Sequence, residues 1–94
     1  MKIEVQIGEQ PLEFIRRQAP ETRRALRDAL HEVERGKAFP EPLEDALEGF
    51  YKLRVTDCRL ILRSVPGKSG PIFRVEFAER RSVVYELFKQ LLGL

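Results

Sequence analysis

The chain has 94 residues, enough for one modest core, and its 43% apolar and 34% charged composition is that of a globular chain rather than a disordered one. No apolar run approaches the roughly 18 residues of a membrane span, and the start, Met1 to Val5, lacks the apolar stretch of a signal peptide; a single domain over residues 1–94, cytoplasmic and without membrane contact, is expected. One cysteine, Cys58, excludes an internal disulfide, and one histidine, His31, leaves no zinc set, so no metal and no cofactor is expected.

The net charge of +2 is unevenly spread. Residues 1–49 hold 8 Lys/Arg against 11 Asp/Glu, whereas residues 50–94 hold 9 against 4, and a basic half of this kind suits a polyanionic partner.

In chain order, Lys2 to Ile7 alternates with Ile3, Val5 and Ile7 inward and predicts a first strand closed by Gly8. A short helix follows, with Pro11 in its first turn, Leu12, Phe14 and Ile15 on its apolar side, and Pro20 ending it by disfavouring helix at Ala19. Leu26, Ala29, Leu30 and Val33 fall at i, i+3, i+4 and i+7 of a second helix, and Gly36 stands where its C-terminal cap belongs. The outer face of this helical pair, with Arg16, Arg17, Arg23, Arg24, Arg27, Asp28, His31, Glu32, Glu34 and Arg35, is mixed in sign and reads as a solvated surface. Lys37 to Glu48, with two prolines and four acids, is a connecting loop.

Two alternating runs then flank Thr56-Asp57 and predict a β-hairpin with a two-residue turn, the left-handed backbone resting on Asp57. With residue 55 opposite 58, the core face carries Tyr51, Leu53, Val55, Cys58, Leu60 and Leu62. The other face carries Phe50, Lys52, Arg54, Arg59, Ile61 and Arg63, four cations with no carboxylate among them. On the core side, Cys58 is a buried, inert thiol. Pro66 to Pro71 is a turn cluster; Gly67-Lys68-Ser69 lacks the first glycine and the following helix of a phosphate-binding loop. Ile72 to Ala78 predicts a further strand with Phe73, Val75 and Phe77 inward, and a last helix from about Arg81 to Leu92 offers Val84, Leu87, Phe88 and Leu91 to the sheet. The order is β-α-α-β-β-β-α, an α+β domain with a mostly antiparallel four-stranded sheet and its helices on one face.

This order, with Gly49-Phe50-Tyr51-Lys52-Leu53-Arg54, Asp57-Cys58-Arg59 and the later Arg80-Arg81-x3-Tyr85, resembles the RelE/ParE superfamily of type II toxin–antitoxin toxins over nearly the whole chain. The RelE branch, to which the basic residues incline the resemblance, implies an endoribonuclease cleaving mRNA on the ribosome, silenced by a cognate antitoxin protein, with DNA contacted only through the antitoxin complex. Lys52, Arg54 and Arg59 correspond to the family's basic strand residues, and Arg81 and Tyr85 to its C-terminal pair. This chain has Cys58 where an aromatic is usual and Glu79 where some ribonuclease members carry arginine. A ParE-like module that inhibits DNA gyrase by binding, and a degenerate member that only binds its partner and co-represses an operator, are the alternatives.

Metal-free RNA cleavage needs a base for the 2′-hydroxyl, charge stabilisation at phosphorus and a proton for the departing 5′-oxygen. Lys52 is the candidate base, since like charges crowded round an ammonium favour its neutral form. Arg59 and Arg81 suit bidentate phosphate contact, and Arg54 positions the backbone or assists proton transfer. Tyr85 stacks on a base or donates its phenolic proton, while Arg63 and Arg80 extend the RNA-binding surface. As ordinary structure, Lys52 and Arg54 would be solvent-side strand residues, and Arg59 and Arg63 would pair with Asp57 and Glu76.

Overall fold

The computed structural model describes residues 3–94, with the elements β1 Glu4–Ile7, α1 Glu9–Arg16, α2 Pro20–Glu34, β2 Glu41–Pro42, β3 Phe50–Val55, β4 Cys58–Gly67, β5 Gly70–Arg80 and α3 Val84–Leu91. Lys2, the first residue of the expected first strand, lies outside the described residues. The α+β class is as expected, but the sheet has five strands in the order β1-β5-β4-β3-β2 rather than four. The extra strand arises inside the expected loop, where Glu41 and Pro42 pair with Lys52 and Tyr51. Only β1, parallel to β5, departs from antiparallel pairing.

The two first helices begin and end on local signals. Proline cannot donate a backbone hydrogen bond, so Pro20 opens α2 as its first residue, with Ala19 extended before it (ψ 153°), and α1 has already stopped at Arg16. At the far end of α2, Gly36 takes φ 72° and donates to the Val33 carbonyl, while Lys37 donates to that of Glu32. These bonds satisfy two carbonyls that the helix leaves open, and only glycine reaches that backbone region without a Cβ penalty.

The β3–β4 hairpin has the expected register, with Val55 opposite Cys58, Leu53 opposite Leu60 and Tyr51 opposite Leu62. Its left-handed residue is Thr56 (φ 54°) rather than Asp57. Leu53, Val55, Cys58, Leu60 and Leu62 pack with Ile15 of α1 and Leu26, Leu30 and Val33 of α2 in the larger core. A fully buried leucine or valine contributes about 1.5–3 kcal/mol through removal of its surface from water, so this layer dominates stability.

A second, smaller core lies on the other side of the sheet, where Phe50, Leu47, Ile61 and Phe77 pack with Val84 and Phe88 of α3. The helices therefore cover both faces, not one. Phe50 and Ile61 reach the smaller core by ordinary alternation, and Phe77 joins them through a bulge: Ile61 pairs with Phe77 but Leu62 pairs with Val75, leaving Glu76 unmatched. One unmatched residue reverses the alternation of β5, so Phe73 and Val75 face α1 and α2 while Phe77 faces α3. In α3, Val84 and Phe88 are buried as expected, but Leu91 is 69% exposed and Leu87 is also largely outside the core. That helix starts three residues later than its sequence suggests, because β5 continues to Arg80 and Arg81 to Val83 form a turn.

Candidate active site

Beside α3, on the face of the hairpin that the small core leaves uncovered, an open depression of about 450 Å³ is lined by Lys52, Arg54, Arg59, Arg81, Ser82 and Tyr85. Strand alternation brings Lys52, Arg54 and Arg59 to one side, Arg54 lying directly across from Arg59. The turn from β5 into α3 swings Arg81 and Ser82 over the same spot, and Tyr85, the second residue of the helix, packs its ring against the small core while lining the depression. All five residues assigned to chemistry from the sequence thus meet at one place.

Their electrostatic states differ. Arg54 is ion-paired with Glu41 of β2 at 3.3 Å, a partner that its reading as a solvent-side strand residue did not include. Arg59 donates through Nη1 to the carbonyls of Thr56 (3.1 Å) and Cys58 (2.7 Å), which fastens its guanidinium to the hairpin tip without neutralising it. Among the described residues, Lys52, Arg59 and Arg81 have no carboxylate within ion-pair distance. Three uncompensated cations round one hollow repel one another, and an anionic ligand relieves that repulsion.

Two residues assigned to RNA binding fall elsewhere. Arg63 is held by Glu76 at 3.3 Å, the same carboxylate oxygen that meets Arg74 at 3.5 Å. Arg80 pairs in register with Cys58, hence starts from the opposite sheet face, and its guanidinium binds Asp57 at 2.8 Å. The sequence offered Asp57 to Arg59; the strand's extension to Arg80 gives it to Arg80 instead.

Asp57 has a larger part than its place in a turn suggested. Its backbone carbonyl accepts the Arg81 N–H at 2.8 Å while its carboxylate takes Arg80, so the hairpin tip and the approach to α3 are clamped together. Desolvation opposes its ionisation, but its hydrogen bond to its own backbone N–H, the Arg80 charge and the Thr56 hydroxyl prevail, holding the carboxyl below its ordinary range. Neighbouring Cys58 is pushed up, by burial first and by the Asp57 charge second, which keeps its thiol protonated and inert.

Glu79 sits directly across from Arg59 and so belongs to the depression's face, its Oε1 accepting the Arg80 N–H at 3.1 Å. The acids Glu44 and Asp45, read from sequence as loop, line a neighbouring hollow of about 350 Å³ with Lys89, Lys52 and Tyr85. No sequence periodicity marks either feature, since the first depends on the β4–β5 register beyond the bulge and the second on how the turn after β2 returns to β3. A larger hollow, about 560 Å³, lies at the far end of the sheet around Gly67 to Ile72, where Lys68 faces Glu4 and Glu34. With one cation against two acids it is no phosphate site. Among the described residues no three His, Cys, Asp or Glu side chains stand close enough to hold a metal ion, and no helix is long and apolar enough to cross a membrane.

The arrangement has solved counterparts. The chain superposes on one from the RelBE2 toxin–antitoxin complex of Mycobacterium tuberculosis with TM-score 0.69 and 17% identity, over 86% of this chain and 100% of the other. The fold is that of the RelE/ParE-type toxins. A YoeB/ParE toxin from Agrobacterium tumefaciens gives a TM-score of 0.62 and 19% identity over 84% of this chain and 99% of its own. No protein-family model matches the sequence, and no curated protein does. At these identities the likeness is one of backbone architecture. A shared architecture leaves the chemistry to the side chains described above.

Proposed function

We propose that this protein is the toxin of a type II toxin–antitoxin module and acts as a metal-independent endoribonuclease on mRNA at the ribosome, held silent by a cognate antitoxin. The observation that carries the reading is the hollow lined by Lys52, Arg59, Arg81 and Tyr85, in which the three cations lack ion-paired carboxylates among the described residues. A phosphodiester in it meets Arg59 and Arg81, whose fixed donors stabilise charge as it builds on the phosphoryl oxygens. Lys52, as the free amine, takes the 2′-hydroxyl proton; the 2′-oxygen attacks phosphorus, and the bond to the 5′-oxygen breaks. That oxygen leaves with a proton from the Tyr85 hydroxyl or from water in the open hollow, giving a 2′,3′-cyclic phosphate and a 5′-hydroxyl. Arg54, engaged by Glu41, serves better to position the strand than to move protons. The antitoxin partner is supported by the fold likeness to a toxin–antitoxin complex.

The test is expression in a bacterial host with 5′-end mapping of mRNA. Cuts within translated codons, absent in Lys52→Ala and Arg81→Ala, are expected. A second reading, a ParE-like gyrase inhibitor without catalysis, is favoured by one feature, the Glu79 carboxylate across from Arg59. Growth arrest that survives both substitutions, with gyrase supercoiling inhibited in vitro, would replace the first reading by the second; folded protein with no growth arrest would indicate a partner-binding role alone.

A further inference from the structure

The α1–α2 corner carries a second concentration of cations that the hollow does not use. Residues 16–27 hold five arginines, Arg16, Arg17, Arg23, Arg24 and Arg27, against one acid, Glu21. Arg16 and Arg17 both lean on Glu13, at 4.0 and 3.4 Å, yet their side chains remain 65% and 76% exposed. Among the described residues Arg23, Arg24 and Arg27 are in no ion pair, although Glu21 and Asp28 are near in sequence. Arg23 closes the first turn of α2, where the helix dipole disfavours positive charge, and Arg24 and Arg27 lie beyond it; Arg16 and Arg17 at the end of α1 are in the place the dipole favours.

The corner and the hollow share one end of the molecule. Gln10, in the first turn of α1, bonds both backbone groups of Ala78, close to where β5 reaches Arg80. The C-terminus of α2 is tied to Ile3 at the opposite end, and its 15 residues, about 22 Å of helix, lead back from there toward the β3–β4 turn. The molecule is 20 Å across its thinnest axis, so a single polynucleotide passing round this end reaches both cationic surfaces.

We infer that the arginine corner is a second phosphate-backbone contact for structured RNA, separate from the hollow in which a strand is cut. This rests on the reading of the hollow as a ribonuclease site and adds that recognition extends beyond the scissile strand. Arginines bind phosphate oxygens through paired donors and carry no base preference, so the partner is identified by backbone and shape. Each phosphate neutralised releases counterions, which makes the contact countable by its salt dependence.

The experiment uses the full chain and two uncleavable 2′-O-methyl RNAs, a single-stranded hexanucleotide and a stem-loop ending in the same single strand. The triple variant Arg23→Ala, Arg24→Ala, Arg27→Ala should bind the hexanucleotide as wild type does. For the stem-loop, it should lose at least about tenfold in affinity at low salt, and the slope of log affinity against log salt should flatten by about 2–3. The triple lysine variant, with charge retained, should keep the slope. An unchanged stem-loop slope in the alanine variant overturns the inference, as does a loss of stem-loop binding no larger than the loss on the hexanucleotide. So does an alanine variant that binds both RNAs normally while losing affinity for a polyglutamate peptide, which would mark the corner as an acidic-protein contact. Lys52→Ala and Arg81→Ala, read on the hexanucleotide, test the hollow itself.

Discussion

Glu79→Gln removes the negative charge that stands directly across from Arg59. The substitution is nearly isosteric, and the glutamine oxygen can still accept the Arg80 N–H that Glu79 accepts at 3.1 Å, so the backbone has no reason to move. A phosphate on Arg59 would lie about 7 Å from that carboxylate if spaced like diagonal cross-strand neighbours. Two like charges at about 7 Å repel by about 0.6 kcal/mol in water and by more where solvent is partly displaced. Because the hollow is open, a value of about 0.6–1 kcal/mol applies, a gain of about three- to fivefold in affinity for Glu79→Gln. Fluorescence anisotropy with an uncleavable 2′-O-methyl hexanucleotide at low salt measures it. At about 1 M salt, where the screening length falls to about 3 Å, the gain should vanish. Affinity that is unchanged or weaker at low salt, or a gain that persists at high salt, refutes the placement of phosphate beside Arg59.

Further outcomes follow from the same geometry. Tyr85→Phe should keep RNA affinity and Tyr85→Ala should lower it by about 1–3 kcal/mol if the ring stacks on a base; a cleavage rate that drops in Tyr85→Phe with binding intact assigns the proton to its hydroxyl. Asp57 has its folded-state carboxyl held low, so its contribution is complete above the ordinary carboxylate range and is lost as pH falls through the lowered value. Wild type and Asp57→Asn should therefore converge in thermal stability on acidification, and an NMR titration should find the Asp57 midpoint below that of a free aspartate. Phe88 stacks edge-on against Phe50 at 5.0 Å and lies against Phe77 at 5.6 Å, so Phe88→Ala should cost about 3–5 kcal/mol in denaturant unfolding if α3 is docked as described. Gly67→Ala should destabilise by about 1–3 kcal/mol, because a Cβ there would meet the Gly70 carbonyl oxygen at 2.6 Å and the Ile72 side chain at 2.8 Å.

The sequence yielded most where one local rule governs. Alternation on either side of Thr56-Asp57 gave the hairpin register and with it the common face of Lys52, Arg54 and Arg59. The i, i+3, i+4, i+7 pattern and Gly36 gave α2. Legibility failed where one strand answers to two partners. Phe77 alternates in phase with Val75, and nothing in Val75-Glu76-Phe77 announces that Glu76 drops out of the ladder. With that phase change hidden, the small core and the placement of α3 behind the hairpin were hidden too. The pairing of Glu41 with Lys52 was equally out of reach, because two residues of strand carry no period. The meeting of Arg81 and Tyr85 with the hairpin cations came through the resemblance to a toxin motif, and the fold supplies its physical reason: Asp57 ties the two segments by main chain and side chain.

The unmatched Glu76 makes β5 a ribbon whose two halves take opposite sides, the stretch before it belonging to the large core and Phe77 to the small one. Without that residue Val75 and Phe77 would be neighbours in an unbroken ladder and keep their faces opposite Leu62 and Ile61, whereas pairing Glu76 in turn would swing Phe73 and Val75 toward the layer of α3 or Phe77 toward that of α1 and α2. Which layer each β5 side chain joins is thus decided at one point, by the ladder skipping a single residue there.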